Sequence, residues 1–325
     1  MNILVTGAGG FLGKNLSSSL LSKGYKVWNF SRKNHPQLQS MGVDTICGDL
    51  KNEADVSAAF KGMDAVFHVA SCVGIWGDYN DFYQTNVIGT ENVIKACRAN
   101  GVAKLLYTST PSVVFDAGDI CGADETKPYS NKFHGNYAKT KTIAEQMVLR
   151  ANDEKLCTVA LRPHLIFGPD DPHLIPRLVD AAKKGRLKIV GAGKNLVDVT
   201  YIQNAVDAHI LAFEKLSPHS KLAGQAYFIG QERPVVLWDF INEILARHNL
   251  PKITGKVPER VAFNIGLFFE CWYKFFRING EPPMTRFVAL QFSRSHYFSH
   301  QKAKNDFGYE PKISIEQALD LTVRK

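Results

Sequence analysis

A glycine-rich turn directly after a short apolar strand constrains the fold of this chain more than any other feature. Residues 3–6 read as a buried strand, and a helical pattern begins at residue 11. The residues of the turn are Gly7, Gly10, Phe11, Leu12 and Gly13. In a strand–turn–helix of this kind, the three glycines allow a tight turn, close approach of a pyrophosphate to the backbone, and close packing of the helix on the strand. The helix amino terminus presents free N–H groups and positive dipole to the phosphates. The pattern predicts dinucleotide binding, with these residues around the cofactor.

Apolar runs and helical patterns alternate through the first half of the chain. The predicted strands are 3–6, 26–30, 44–47, 65–69, 104–108 and 158–162, and the predicted helices are 11–23, 79–100 and 136–152. Parallel strands buried on both faces read as continuous apolar runs, and right-handed crossovers place helices on both faces of the sheet. We therefore predict an α/β fold, a doubly wound parallel (Rossmann) sheet, in residues 1–168.

After residue 168, the alternation of apolar runs and helical patterns becomes less regular. Here the predicted elements are helices 174–184, 205–216 and 237–248 and strands 197–201 and 226–229. We expect residues 169–325 to form a smaller, irregular substrate-binding lobe that is interleaved with the Rossmann core.

Composition excludes several classes of protein. A chain of 325 residues with 45% hydrophobic and 22% charged residues is globular. Its six cysteines form no Cys-x-x-Cys and do not cluster with histidine, so neither a disulfide framework nor a metal site is expected. A net charge of +8 without a recognisable basic-aromatic module predicts no nucleic-acid partner. Because the strand pattern starts at residue 3, we expect no signal peptide and a cytoplasmic protein.

The end of the second strand bears on the choice of cofactor. An acid there would bind a free ribose 2′-hydroxyl, but residues 29–33 contain none, and Arg32 could bind a 2′-phosphate. The pattern favours NADP(H), with NAD(H) as the alternative if Arg32 only stacks on the adenine. In the following loops, Asp49 and Leu50 are expected beside the adenine, and Ala70 on its other side.

Tyr137 is the only one of eleven tyrosines with a lysine four residues later. On a helix, this spacing places Lys141 on the same face, one turn away. A neighbouring ammonium lowers the pKa of a phenol and so favours proton exchange with an alcohol or a ketone. The alternative is a chance pair on a solvated helix face.

Four motifs together resemble the extended short-chain dehydrogenase/reductase family. They are the glycine loop, Asn86-Val87-x-Gly89-Thr90, Tyr137-x-x-x-Lys141, and the segment from Leu161-Arg162-Pro163 to Gly168-Pro169. Segments 107–115 and 161–168 are similar to the 3β-hydroxysteroid dehydrogenase branch. That branch includes sterol-4-carboxylate 3-dehydrogenases and bacterial 2-alkyl-3-oxoalkanoate reductases.

The resemblance assigns further site residues. It places the third catalytic hydroxyl at Thr110, with Ser109 as a rival, and it expects Thr108 to face the cofactor. Pro163 is expected beside the nicotinamide, and Asn86 either supports the site or is a packing residue. Family members commonly dimerise through two helices, so a homodimer is expected; the corresponding helices here are 79–100 and 136–152.

The resemblance also implies a reaction. Tyr137 would exchange a proton with substrate, Lys141 would lower its pKa and hold the ribose, and Thr110 would position the reacting oxygen. The substrate would carry a 3-hydroxy or 3-keto group on a large apolar body, either 3β-hydroxysteroid-like or a long-chain 2-alkyl-3-oxo acid. Sugar dehydratases of the family carry an acid pair where this chain has Pro111 and Ser112. A nucleotide-sugar epimerase or reductase and a non-catalytic dinucleotide sensor remain as alternatives.

An aromatic-rich segment at residues 258–278 suits an apolar ligand, a peripheral membrane contact or a plain buried helix. It is too short and too charged to span a bilayer. The stretch 252–312 carries ten lysines and arginines against five acids. Candidate partners for a substrate carboxylate are His173, Arg177 and Lys194, although each fits an ordinary surface position.

Overall fold

The computed structural model describes residues 1–323, which form an α/β fold. Its strands are β1 (Asn2–Thr6), β2 (Lys26–Ser31), β3 (Asp44–Cys47), β4 (Ala65–His68), β5 (Lys104–Thr108), β6 (Ile120–Ala123), β7 (Cys157–Pro163), β8 (Ile166–Phe167), β9 (Ile189–Val190), β10 (Leu196–Val197), β11 (Thr200–Tyr201), β12 (Gln225–Ile229), β13 (Val235–Val236), β14 (Lys256–Val257) and β15 (His296–Phe298). Its α-helices are α1 (Phe11–Ser22), α2 (Pro36–Ser40), α3 (Glu53–Ala59), α4 (Tyr79–Tyr83), α5 (Gly89–Asn100), α6 (Asn136–Arg150), α7 (Leu174–Lys183), α8 (Ile202–Lys215), α9 (Leu237–Arg247), α10 (Glu259–Phe275), α11 (Arg286–Ser293), α12 (Gln301–Phe307) and α13 (Ile315–Val323).

A seven-stranded parallel sheet forms the centre, in the order β12-β7-β5-β4-β1-β2-β3. Successive residues of a strand face opposite sides. Accordingly, Ile3 and Val5 of β1 belong to the core that contains α1 and α8, whereas Leu4 belongs to the core that contains α5 and α6. Helices therefore cover both faces, and the predicted doubly wound fold is confirmed.

The two halves of the chain interleave. Strand β12, predicted within the second lobe, extends the main sheet beside β7. Strand β6, from the first half, joins a four-stranded sheet in the order β13-β10-β15-β6. The expected strand 197–201 was wrong as a single element, because β10 and β11 pair in different sheets. The lobe boundary after residue 168 stays a prediction.

The topology gathers the predicted site at one edge of the sheet. The chain order reverses between β1, which leads outward to β2 and β3, and β4, which leads to β5 and β7. Ligands of such folds bind at the carboxyl ends of the strands beside this switch point. The glycine loop and the loops after β2, β4 and β5 all leave their strands at that edge.

Candidate active site

The glycine loop has the backbone that pyrophosphate binding requires. Gly7 has φ of +73°, and its N–H donates to the carbonyl of Phe30 at 3.1 Å. A Cβ on Gly13 would lie 2.3 Å from the Gly7 carbonyl oxygen, so only glycine lets α1 pack this closely. Gly10 precedes α1 in extended conformation and has no side chain with which to cap it. The N–H groups of the first turn therefore suit an anion, and the loop fits a dinucleotide.

A groove of about 510 Å³ lies beside this loop. It is lined by Gly9, Gly10, Phe11, Lys14, Asn15, Gln37, Pro169, Asp170, Pro172, Tyr201, Ile202 and Gln203. Lys14 also lines a second cavity, of about 450 Å³, together with His35. The sequence analysis missed both residues, although a lysine in the first turn after a glycine loop was a visible signal.

The other predicted cofactor residues gather at the same edge. Arg32 is exposed, one residue beyond β2, and Leu50 is buried after β3. Asp49 is partly buried, and its carboxylate accepts the backbone N–H of Lys51 at 3.0 Å. Ala70 packs against Gly7: a Cβ built on the glycine would lie 2.9 Å from the Cα of Ala70.

The amide of Asn29, near the end of β2, serves the glycine loop. It is fully buried and accepts the N–H of Ala8 at 3.1 Å. The polar side chain in this part of the strand, Asn29, therefore fixes the glycine loop by a hydrogen bond. Arg32 and Lys33, which follow β2, are exposed cations, and the planar guanidinium of Arg32 is the better suited of the two to a 2′-phosphate.

Tyr137 lies in the first turn of α6, partly buried among the surrounding loops. Burial raises its pKa to about 12, and its interaction with the Thr110 hydroxyl opposes that rise. Thr110 follows β5 and is fixed by Ser112, whose backbone N–H donates to the threonine Oγ1 at 3.2 Å. The Thr110 hydroxyl donates to the Ser112 Oγ at 3.2 Å, and its effect on the pKa of Tyr137 indicates that the two side chains are neighbours.

Lys141 is buried one turn further along α6. Its Nζ donates to the backbone carbonyl of Thr108 at 2.6 Å and lies 4.0 Å from the ring centroid of Tyr107. Burial lowers the pKa of Lys141 to about 7, and Glu145 opposes that shift. The expected lowering of the Tyr137 pKa is therefore not met in this structure, because burial raises that pKa and the hydrogen bond of Lys141 goes to Thr108.

Thr108 also differs from the expectation. Its hydroxyl lies 2.9 Å from Nε2 of His209 in α8, so its side chain is turned toward that helix and only its carbonyl faces Lys141. Pro163 is buried at the carboxyl end of β7, paired with Ile229 of β12, and its place beside the nicotinamide stays a prediction.

A buried ion pair lies beneath α6. Glu145 accepts two hydrogen bonds from Arg162, at 3.0 and 2.6 Å, and one from the Tyr129 hydroxyl at 2.7 Å. Burial alone would raise the pKa of Glu145, but the Arg162 guanidinium holds it below its ordinary value. The sequence analysis missed this pair. An arginine inside an apolar strand and an acid four residues after Lys141 were the available signals.

The same pair separates the two candidate hydroxyls. Ser109 is buried and lies near Glu145, where it helps to lower the pKa of that carboxyl. Within residues 1–323, however, its hydroxyl makes no hydrogen bond of ordinary geometry. Thr110 instead interacts with Tyr137. The geometry favours Thr110 as the hydroxyl that positions the reacting oxygen.

Asn86 lies on a π-helical turn (Gln84–Ile88) that interrupts the predicted helix 79–100. Its amide bonds both the N–H and the carbonyl of Cys72, at 2.7 and 3.0 Å, and donates to the Thr140 hydroxyl at 3.1 Å. π-turns of this kind occur often at functional sites. Asn86 therefore ties the loop after β4 to the helix that carries Tyr137, as the supporting role predicted.

The three candidate carboxylate partners are less well placed. Arg177 is ion-paired with Glu281 at 3.0 Å. His173 and Lys194 are both exposed, the first at the start of α7 and the second between β9 and β10. No contact among them supports a shared site.

Comparison with known proteins gives a family. A model of the 3-beta hydroxysteroid dehydrogenase/isomerase family matches residues 4–256. The chain is 49% identical to a 2-alkyl-3-oxoalkanoate reductase of Stenotrophomonas maltophilia, over 98% of this chain and 97% of the relative. It is 39% identical to the decarboxylating sterol-4-alpha-carboxylate 3-dehydrogenase of Mus musculus, over 98% and 89% of the two chains.

Solved structures share the fold. The crystal structure of gox2253 superposes with a TM-score of 0.79 at 26% identity, covering 99% of this chain and 96% of that one. A UDP-glucuronic acid 4-epimerase from Bacillus cereus in complex with NAD superposes with a TM-score of 0.76 at 22% identity, covering 99% and 97%. Together with the glycine loop and the Tyr137–Lys141 pair, these findings make the chain an extended short-chain dehydrogenase/reductase, an oxidoreductase that belongs to the 3-beta hydroxysteroid dehydrogenase/isomerase family.

Proposed function

We propose that this enzyme reduces the 3-oxo group of a long-chain 2-alkyl-3-oxo acid, with NADPH as the reductant. The observation that carries the proposal is the phenol of Tyr137 on α6, next to Thr110 after β5, at the same edge of the sheet as the glycine loop. Burial raises the pKa of Tyr137 to about 12, so the phenol carries the proton that reduction requires. The similarity to 2-alkyl-3-oxoalkanoate reductases supports the substrate class.

The roles of the residues follow from their positions. The nicotinamide, when bound, supplies the hydride that reaches the carbonyl carbon. Tyr137 donates its proton to the carbonyl oxygen, and the Thr110 hydroxyl donates a hydrogen bond to that same oxygen while charge builds on it. The carbonyl becomes a hydroxyl, and Tyr137 is left as a tyrosinate that takes a new proton from solvent. Lys141, if protonated, stabilises the tyrosinate from one helical turn away.

Arg32 supports the preference for NADPH. It is exposed at the edge where the adenine ribose of a bound dinucleotide would lie, and no acid follows β2 there. A guanidinium that binds a phosphate contributes a charge-assisted hydrogen bond, so Arg32→Ala should weaken NADPH binding roughly ten- to hundredfold. NADH binding should change little. Lys33→Ala, at the neighbouring exposed cation, is the matched control, and an equal loss of affinity for both dinucleotides would contradict the preference.

The substrate class is tested by product analysis. Purified enzyme is incubated with NADPH and a long-chain 2-alkyl-3-oxo acid, and separately with NAD⁺ or NADP⁺ and a 3β-hydroxysteroid. We expect the 2-alkyl-3-hydroxy acid from the first mixture and at most slow turnover in the second. Steroid oxidation as the faster reaction would instead support a sterol dehydrogenase, which the 39% identity to the mouse enzyme favours as the second candidate.

A non-catalytic sensor is the remaining alternative. It predicts tight binding of a dinucleotide without turnover of either substrate. The retained Tyr137–Lys141 pair argues against it, because a sensor needs neither a proton donor nor the cation beside it.

A further inference from the structure

Helix α10 exposes a continuous apolar stripe to solvent. The stripe consists of Val261, Ile265, Phe268, Trp272, Phe275 and Phe276, all of them exposed. Phe275 is 81% exposed and Phe268 is 58% exposed. The rings pack on one another along the stripe, with centroids 5.7 Å apart for Phe268 and Trp272 and 4.5 Å apart for Trp272 and Phe276. Soluble monomers rarely expose a patch of this kind unless it binds something.

The opposite face holds α10 firmly on the protein. Ala262, Gly266 and Glu270 are buried against the segment that begins α11. A Cβ on Gly266 would lie 2.5 Å from the carbonyl carbon of Thr285, so the two backbones are in close contact. The helix therefore cannot roll to bury its apolar stripe, which points directly away from the protein.

The acidic and the basic side chains of α10 differ in their surroundings. Both acidic residues of the helix form ion pairs with arginines outside it: Glu259 pairs with Arg294, and Glu270 pairs with Arg286 at 2.7 Å. The cations of the helix and its following residues, Arg260, Lys274 and Arg277, are exposed, and none has an acidic partner within residues 1–323. The outer surface of this helix is thus apolar and positively charged.

We propose that α10 docks the enzyme on an anionic phospholipid bilayer, with the helix lying in the plane of the interface. An outward stripe of Phe and Trp on a helix whose remaining exposed surface carries cations is the arrangement that binds such a surface. A second copy of the chain fits less well, because a dimer formed through the stripe would leave these cations without counter-charges. At 17 residues α10 is about 25 Å long, and among the described residues no helix is long and apolar enough to cross a membrane.

Docking through α10 places the substrate end of the site near the lipid. Phe263, on α10, packs edge-on against His134 with ring centroids 6.5 Å apart. His134 lies three residues before Tyr137, so the same helix borders both the bilayer and the neighbourhood of the proton donor. If the proposed function is correct, an apolar substrate dissolved in the bilayer has a short path to Tyr137. The docking itself does not depend on that function.

The charge requirement is tested by flotation with vesicles. Full-length enzyme is mixed with vesicles of phosphatidylcholine alone, or of phosphatidylcholine with phosphatidylglycerol. We expect binding to the anionic vesicles only. The triple variant Arg260→Gln, Lys274→Gln, Arg277→Gln should lose affinity by on the order of a hundredfold. The matched control removes three exposed lysines near the opposite edge of the sheet, Lys26→Gln, Lys61→Gln and Lys155→Gln, and should bind the vesicles as the wild type does.

The apolar stripe is tested by insertion. Phe268→Ser with Phe275→Ser should abolish vesicle binding, and both side chains are exposed enough for the fold to survive, which circular dichroism checks. Lipids brominated on their acyl chains should quench fluorescence in the wild type, and Trp272→Phe should remove most of that quenching while binding persists.

Three results would overturn the proposal. One is the absence of binding to anionic vesicles. Another is binding that the control triple variant loses as much as the α10 variant does. The third is a dimer that forms without lipid, as seen by sedimentation equilibrium, and that dissociates in the double variant Phe268→Ser with Phe275→Ser. That result would assign the stripe to a second copy of the chain. Turnover of a water-soluble 3-oxo acid, measured without vesicles, reports on the proposed function alone.

Discussion

Replacing Glu145 by glutamine tests how the buried pair beneath α6 supports the active site. The change removes the negative charge that Arg162 and Tyr129 bind, while keeping the shape of the side chain. Glu145 and Arg162 are 0% and 4% exposed, so the guanidinium would be left buried without a counter-charge. Breaking such a pair from one side typically costs about 3 to 5 kcal/mol. We expect a loss of this size in the free energy of unfolding at neutral pH.

The pH dependence of that loss has a definite sign. The folded-state pKa of Glu145 is depressed below its ordinary value of 4.5, so the carboxylate contributes stability above pH 4.5. That contribution is lost as the pH falls through the lower, folded-state value. The gap in stability between wild type and Glu145→Gln should therefore be widest at neutral pH and should shrink in acid.

The same variant should act on Lys141. Glu145 raises the pKa of Lys141 against the effect of burial, so its loss should move that pKa further below about 7. Less of the lysine would then be protonated at neutral pH. The alkaline limb of the kcat/KM profile should shift toward lower pH if the ammonium supports catalysis.

Denaturant unfolding at several pH values and a pH profile of kcat/KM measure these effects. The control is the double variant Glu145→Leu with Arg162→Met, which removes both charges and should be less destabilised than Glu145→Gln alone. A single variant destabilised by under about 1 kcal/mol, or a double variant that is the less stable of the two, would refute the reasoning about the pair. An unmoved alkaline limb would refute the link to Lys141.

Three further predictions concern the loop, the hydroxyl and the lysine. Gly13→Ala should destabilise the protein by roughly 1 to 3 kcal/mol and weaken dinucleotide binding, because the new Cβ would lie 2.3 Å from a backbone atom. Gly118→Ala, in an exposed loop, should change neither property. Calorimetry measures the stability, and titration measures the binding of the dinucleotide. Thr110→Val should lower kcat much more than Ser109→Ala does, and the reverse order would transfer the role to Ser109. Lys141→Met should raise stability at pH 7, since burial depresses the pKa of the lysine to about 7 and the unfolded chain binds the proton more readily. That gain should fade as the pH rises toward 10.5, and a constant gap would contradict it.

The fold was predictable because its signals are local. The glycine spacing, the continuous apolar runs and the helical patterns each follow from the conformation of a short segment, and the predicted bounds agree with the structure to within a few residues for most elements. The interleaving was predictable only in outline. Nothing in the sequence around residues 226–229 states that this strand pairs with β7 in the main sheet rather than within the lobe.

The residues that form the site were easier to predict from the sequence than the contacts that they make. Residue type and spacing identified Tyr137 and Lys141, but the direction of the lysine hydrogen bond depends on the carbonyl of Thr108, which is distant in sequence. For the same reason the spacing could not show that burial would raise the pKa of the phenol. The pairing of Glu145 with Arg162 escaped prediction because Arg162 inside an apolar strand indicates a buried partner without identifying it, and Glu145 on a helix reads as a surface charge.

In the proposed reaction, Tyr137 donates the proton when the 3-oxo group is reduced. Single-turnover oxidation of NADPH with a long-chain 2-alkyl-3-oxo acid tests it most directly, in the wild type, in Tyr137→Phe, and in Tyr25→Phe as a matched control on the far side of the sheet. We expect a rate lower by roughly 10² to 10⁴ in Tyr137→Phe alone, with NADPH binding unchanged. A Tyr137→Phe rate within tenfold of the wild-type rate would contradict it.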